Sequence, residues 1–354
     1  MSINSCEFAN QKQSSRRHFI RVASAACLAG FAAALGGCAS ADSGDGEQTS
    51  SEEDALQTAT IFAFDTVVTL RADCSAEAMQ RAVDLCEYFE QKFSRTIEGS
   101  DIWNINTAEG EPVEVAEETA ELIAKSLEYC ARSKGLFDIT IGAVSSLWDF
   151  KAGIKPADEA IQEAIKHVDY TMVNVEGTRV TLADPAGMLD LGGTAKGYIA
   201  DELAQLFRDE GSESAIINLG GNVVVVGSKP DGSDWRVGIQ DPNGVQGASV
   251  IASVDCSDRS VVTSGLYERN FYADGERYYH ILDPRTGYPA ETDLISSSII
   301  SSSSIDGDGY STWVFLLGRE KALELLESTE ELEGIVIDKD GTVYATENAN
   351  YELR

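Results

Sequence analysis

The chain has 354 residues, with 59 Asp and Glu against 27 Lys and Arg, a formal net charge of −32 and only three His. So anionic a chain repels a phosphate backbone unless its cations are concentrated, and no run of Lys or Arg concentrates them, which excludes a nucleic-acid binder. Hydrophobic residues at 43% describe a globular protein, and seven Cys without C-x-x-C spacing leave a hard, oxygen-held ion as the expected metal.

The N-terminus reads as an address. Two arginines in Ser15-Arg16-Arg17-His18-Phe19-Ile20 precede an apolar stretch, Val22–Leu35, that is too short and too rich in Ala and Gly to span a bilayer. These features predict a cleaved export signal. The Arg pair followed by Phe resembles the twin-arginine type, which exports folded proteins; an ordinary secretory signal is the alternative. Leu35-Gly36-Gly37-Cys38 resembles a lipoprotein box, making residues 1–37 the removed signal and Cys38 the lipidated N-terminus. Residues 38–55, rich in Ser, Asp, Gly and Glu, cannot bury a core and read as a flexible tether. Loss of residues 1–37 removes four cations and one anion and leaves −35. That charge keeps the surface off anionic headgroups, so an acyl chain is the expected anchor. Beyond the tether, Cys74, Cys86, Cys130 and Cys256 specify no pairing and are expected as buried free thiols.

From residue 56 onwards no long linker divides the chain, and 56–354 reads as one α+β unit. Thr60–Arg71 alternates and is β-branched, which predicts a strand; Ser75–Phe93 repeats apolar residues every three or four positions, which predicts a helix. Further helices are predicted over Glu117–Ser133 and Ala157–Lys166. Strands follow at Thr178–Leu182 and Met188–Leu191, then a helix over Ala195–Arg208. Ile216–Val226 and Trp235–Ile239 read as strands joined across Lys229-Pro230-Asp231-Gly232, a Pro- and Gly-bearing turn. The last elements are strands at Val261, Tyr278–Leu282 and Ile295–Ile300, and helices at Ser311–Leu317 and Glu320–Ser328.

Three clusters carry candidate chemistry. In Leu189-Asp190-Leu191-Gly192-Gly193-Thr194-Ala195-Lys196-Gly197 a strand ends, glycines allow close backbone approach and Lys196 opens a helix, which suits a phosphate or a structural turn. Neither the Walker A nor the G-x-G-x-x-G spacing is present. Asp306-Gly307-Asp308-Gly309 with Ser311-Thr312 offers hard oxygen ligands; position 12 counted from Asp306 is Leu317, so it is not an EF-hand. Mg²⁺ held by one carboxylate, one hydroxyl and substrate phosphates fits that chemistry, and a solvated acidic turn is the plainer alternative. His280, one of two histidines outside the signal, ends an aromatic strand before Asp283-Pro284-Arg285-Thr286-Gly287 and is a candidate proton acceptor or positioning group.

Taken in order, these segments resemble the ApbE family, the FAD:protein FMN transferases. The resemblance covers residues 60–320. It rests on Phe64-Asp65-Thr66, Phe93-Ser94 with Ser100-Asp101 and Asn106, Gly135 to Thr140, and Asp190 to Gly197. It continues through Asn218 to Asn222, Thr263-Ser264-Gly265, His280 to Pro289, and Asp308 to Thr312. It implies a T-fold-like α+β architecture of mixed sheets with packed helices in a single catalytic unit. It also implies Mg²⁺-dependent transfer of FMN from FAD to a Thr or Ser hydroxyl of an exported target protein, with release of AMP. Carried over by motif, Phe64, Leu136, Phe137, Asp138, Asp190, Lys196 and Ile281 would contact FAD. The Gly193 carbonyl, Asp308 and Thr312 would hold the ion, and His280 with Asp308 would be catalytic. The chain departs from the family with Thr96 where an aromatic is frequent, and with Phe64-Asp65 where Met-Gly is common. A Mg²⁺-dependent FAD pyrophosphatase giving FMN and AMP, and a non-catalytic FAD-binding lipoprotein, are the rival readings.

Overall fold

A computed structural model describes residues 56–245 and 247–354. The predicted signal, Cys38 and the tether over 38–55 lie outside these residues. In chain order the elements are β1 (Gln57–Ala63), β2 (Thr66–Ala72), α1 (Ala76–Phe93), α2 (Asp101–Asn106), β3 (Val113–Glu114), α3 (Glu117–Arg132), α4 (Gly142–Ser145), α5 (Asp158–Ala164), β4 (Val173–Glu176), β5 (Arg179–Leu182), α6 (Ala195–Asp209) and β6 (Ser214–Leu219). The second half continues with β7 (Asn222–Gly227), β8 (Trp235–Gln240), β9 (Val250–Cys256), β10 (Ser260–Gly265), β11 (Asn270–Ala273), β12 (Glu276–Tyr279), β13 (Leu294–Ser301), α7 (Ser304–Leu317), α8 (Arg319–Glu327), β14 (Glu333–Asp338), β15 (Val343–Ala345) and β16 (Glu352–Leu353). The fold is α+β.

Its backbone is an antiparallel sheet of eight strands in the order β1-β2-β6-β7-β10-β13-β14-β15. Alternation along the central strands assigns its two faces. Val224, Val226, Ile299 and Val336 face the main core with α1, α6 and α7, whereas Val225, Val261, Ile300 and Ile337 meet the small β16-β9-β8 sheet. Burial on both faces explains the uninterrupted apolar run of β7. Helix α7 is buried nearly all round, packed against β10, β13, α6 and α8.

Several sequence expectations need correcting. Thr60–Arg71 is two strands, paired Ala63 to Thr66 around a two-residue turn at Phe64-Asp65, where φ is 54° and 63°. Neither residue is Gly or Asn, so the usual hairpin signal is missing. Ile216–Val226 likewise folds back at Gly220-Gly221, and here the glycine is required: a Cβ on Gly220 would lie 2.1 Å from Thr66 Oγ1 of the first turn. Met188–Leu191 is not a strand; Met188 makes one bridge to Ile141, and the chain then turns. The strand expected over Tyr278–Leu282 stops at Tyr279, with Leu282 in an isolated bridge to Pro289. The helix expected from Ser311 begins at Ser304, because Gly307 and Gly309 pack it against Val262 and Tyr129 at distances no side chain would allow. The remaining predicted helices agree to within a few residues.

The four thiols among the described residues are free; Cys86, Cys130 and Cys256 are buried and Cys74 partly so. Burial pushes the Cys86 thiol up to about 12 and that of Cys256 up to about 11.

One glycine governs how the helices meet. A Cβ on Gly197 in α6 would stand 2.4 Å from the Ser304 carbonyl oxygen and 2.6 Å from Ile305 Cα in α7, both backbone atoms. Gly197→Ala should therefore destabilise the fold by about 1–3 kcal/mol, read as a lowered urea midpoint with an unchanged slope.

Candidate functional site

The turns at Phe64-Asp65 and Gly220-Gly221, the end of β10 and the start of β13 all lie at one end of the large sheet, as the registers Val68 to Leu219, Val262 to Asn222 and Gly265 to Ser296 require. A cavity of about 850 Å³ opens there against the start of α6 and the face of α7 that carries Asp308, Thr312 and Leu316. The fold brings together every residue picked out inside the described region. Phe64, Leu136, Phe137, Asp138, Asp190, Gly193, Lys196, His280, Ile281, Asp308 and Thr312 all line this cavity.

Asp308 and Thr312 are one turn apart on α7 and so share a face. One Asp308 oxygen accepts the Gly197 N–H at 2.9 Å, capping α6, while the other stands 3.8 Å from Lys196 Nζ. Lys196 also donates to the Gly192 carbonyl oxygen at 3.1 Å. Thr312 Oγ1 is 3.5 Å from Ser264 Oγ, which also pairs with Ser311 at 2.8 Å. Gly193 presses on the Phe137 ring; a Cβ there would be 2.8 Å from Cε2. The ammonium, the carboxylate and the glycine-bearing turn thus meet at one place.

Other chosen residues have local employment. Asp190 accepts from Ser145 Oγ at 2.7 Å and from the Gly192 N–H at 3.0 Å, and Arg95 lies 3.3 Å away. Asn106 exchanges two hydrogen bonds with the Leu189 main chain and so fixes the residue before it. Asp138 is buried and accepts from Thr140 N, Thr140 Oγ1 and Tyr170 N, tying its own turn; burial nonetheless holds its carboxyl above the usual range. Asp138 therefore shapes the wall rather than offering a free carboxylate. Thr96 lines the cavity and makes its hydrogen bonds to Ser94.

Residues that sequence reasoning passed over include Arg95, Asn222, Ser264 as a cavity group, and above all Glu268. Nothing local in Tyr267-Glu268-Arg269 signals a role; only the hairpin of β11 and β12 brings Glu268 beside His280. His280 Nε2 and Glu268 Oε2 are 3.9 Å apart, and the side chains keep 29% and 28% of their surface open to the cavity. Burial, then Arg269 and Lys196, hold His280 down at about 4. Burial lifts Glu268 to about 7; Asp308 adds to this, and Lys196 and Arg269 oppose it.

The lining contains seven carboxylates against four Lys and Arg side chains. That balance repels an anionic ligand except where cations such as Lys196 offset it. Among the described residues no group of three or more His, Cys, Asp and Glu is arranged to hold a metal. The donors present, one carboxylate at Asp308 and one hydroxyl at Thr312 beside the Gly193 turn, fit an ion that takes its remaining oxygens from phosphate and water.

The ApbE family profile matches residues 64–336. The chain belongs to the ApbE family. It is 35% identical over 289 residues to a protein of Treponema pallidum named FAD:protein FMN transferase, covering 76% of this chain and 79% of that one. The crystal structure of the ApbE protein from Thermotoga maritima superposes with a TM-score of 0.75 at 32% identity, covering 82% and 97%. The Pseudomonas stutzeri flavinyl transferase ApbE superposes at 0.72 with 27% identity, covering 82% and 95%.

The paired shifts give this ApbE protein an acid signature. His280 binds a proton less readily folded than unfolded, so its contribution to stability is whole above 6.5 and is lost as the pH falls towards about 4. Glu268 acts oppositely, favouring the folded state more as the pH falls from about 7 towards 4.5. Glu268→Gln should therefore lose more stability than the parent between pH 6.5 and 4.5, as read by denaturant midpoints. The His280 ring should stay neutral at pH 7 in its NMR titration.

Proposed function

We propose that this chain moves the FMN half of FAD onto a Thr or Ser hydroxyl of an exported acceptor protein, with Mg²⁺ and with release of AMP. Family membership makes it a flavin transferase, because relatives sharing a third of its residues carry that name. The observation that carries the finer reading is the junction of Lys196, Asp308, Thr312 and the Gly192-Gly193 turn within one cavity.

The division of labour follows from those contacts. Lys196, opening α6, offsets negative charge on a diphosphate, helped by the positive end of the helix. Phe64, Leu136, Phe137 and Ile281 supply the apolar wall for the flavin nucleotide, with Asp190 and the Asp138-tied turn at its rim. Asp308, Thr312 and the Gly193 carbonyl would hold Mg²⁺, which when bound neutralises charge on the phosphate oxygens. The acceptor hydroxyl attacks the FMN-side phosphorus from the end of the cavity where His280 and Glu268 lie, and AMP leaves with the electrons of the broken bond. Such transfer depends on orientation and charge neutralisation more than on covalent help from the protein.

We infer further that residues 1–37 direct export, that Cys38 is lipidated and that 38–55 tether the catalytic unit outside the cytoplasm. The basis is the sequence of the signal and the Leu35–Cys38 box. No helix among the described residues is long and apolar enough to cross a membrane.

The test is incubation of the exported form with FAD, Mg²⁺ and a Thr-bearing acceptor, followed by in-gel flavin fluorescence and AMP measurement. Transfer predicts a fluorescent acceptor with equimolar AMP; free FMN and a dark acceptor would instead establish the pyrophosphatase. Asp308→Asn, which keeps an oxygen to cap Gly197, should cut AMP release on the order of a hundredfold or more.

A further inference from the structure

Glu268 reaches the cavity with none of the local partners that occupy the other carboxylates. Asp138 is held by three hydrogen bonds and Asp190 by two with Arg95 alongside, while Asp308 caps α6. Glu268 is hydrogen-bonded to no protein group among the described residues; its nearest cationic candidate is His280, at 3.9 Å. Its other oxygen stands over the β6–β7 turn, 3.8 Å from where a Cβ on Gly221 would be. A Cβ there would only touch the carboxylate in ordinary van der Waals contact; the φ of 99° is what favours glycine at this position.

The position is built rather than accidental. Glu268 and His280 stand at the two feet of the β11–β12 hairpin, and the His280 N–H donates to the Arg269 carbonyl oxygen at 3.1 Å, continuing the ladder that pairs Asn270 with Tyr279. Rigid feet hold both groups at the same end of the cavity. His280 Nδ1 is buried without a partner, which leaves only the Nε2 side of the ring facing Glu268.

Resting on the flavin-transfer reading, we propose that Glu268 is the general base of the reaction and that His280 is its positioning residue. The Glu268 carboxylate takes the proton of the acceptor Thr or Ser hydroxyl as that oxygen bonds to the FMN-side phosphorus. The bond from phosphorus to the AMP oxygen breaks, and AMP departs with its electron pair. His280 stays neutral, bearing on the carboxylate without exchanging the reacting proton. The groups facing Glu268 are His280 from the other foot of the hairpin, Arg269 next to it, Lys196 from α6 and Asp308 from α7. Burial and Asp308 raise its proton affinity to about 7 while Lys196 and Arg269 limit the rise. That value suits a base working near neutrality better than His280 at about 4.

The test uses the exported form with FAD, Mg²⁺ and acceptor. Glu268→Gln preserves shape and should lower kcat about 10²–10⁴-fold, with FAD affinity by fluorescence quenching changed less than about threefold. The parent rate should fall as the pH drops through about 7, since the base must be ionised, and the residual rate of the variant should lose that limb. Formate should partly restore turnover to Glu268→Ala. Should the Gln variant fail to fold, Glu268→Asp serves, with kcat at least about tenfold down and the acidic limb retained. His280→Gln should lower kcat less than Glu268→Gln and leave an acidic limb, displaced in pH. A Glu268→Gln enzyme within threefold of the parent, or one with the same acidic limb, overturns the proposal. A parent that binds FAD but labels no acceptor defeats the transfer reading instead, so the two failures are separable.

Discussion

The site depends on a reciprocal arrangement between two helices. Asp201 on α6 accepts the Ser304 and Ile305 N–H groups that open α7, at 2.8 and 3.0 Å, while Asp308 on α7 accepts the Gly197 N–H in the first turn of α6. Each helix supplies the cap that the other lacks, since neither has a side-chain cap of its own. Burial raises the proton affinity of Asp201 against these bonds, so the carboxylate is kept at a cost that the two orphan N–H groups offset. The contact is close only because Gly197 has no side chain. Remove that approach and Lys196, Asp308 and Thr312 no longer share a point in space.

The large sheet provides the second requirement. Antiparallel pairing returns alternate strand ends to one edge, so two turns and the end of β10 fall beside the start of α6 and the middle of α7, where Ser264 meets Ser311 and Thr312. Cavity residues distant in sequence, such as Phe64, Ser264 and His280, converge because a rigid ladder carries them there. The strain of Phe64 at φ 54° is part of this, since the turn aims the ring into the cavity lining where a glycine would give none.

Much of this was legible in the residues. The long amphipathic helices declare themselves by period, with Ser75 capping α1 through the Ala78 N–H. The Asp190–Gly197 and Asp308–Thr312 segments carry the chemistry of a charged, oxygen-rich site. What could not be read were features decided by tertiary contact. The Phe64-Asp65 turn puts a Phe at positive φ where Gly or Asn is usual, and α7 absorbs two glycines because its neighbours need the room. Asp138, expected beside FAD, also ties its own loop through its carboxylate, a role the sequence does not show. Glu268 carries no motif beyond its neighbours; its significance comes from the opposite foot of a hairpin twelve residues away.

The sealed thiols have a consequence for where this fold can live. Cys86 and Cys130 have no exposed surface, and buried sulfur held as the protonated thiol is a poor nucleophile for disulfide exchange. The core therefore needs no covalent staple to form and offers oxidants little to attack. A chain that matures in a reducing compartment and then works in an oxidising one would pass between them with its interior chemically unchanged.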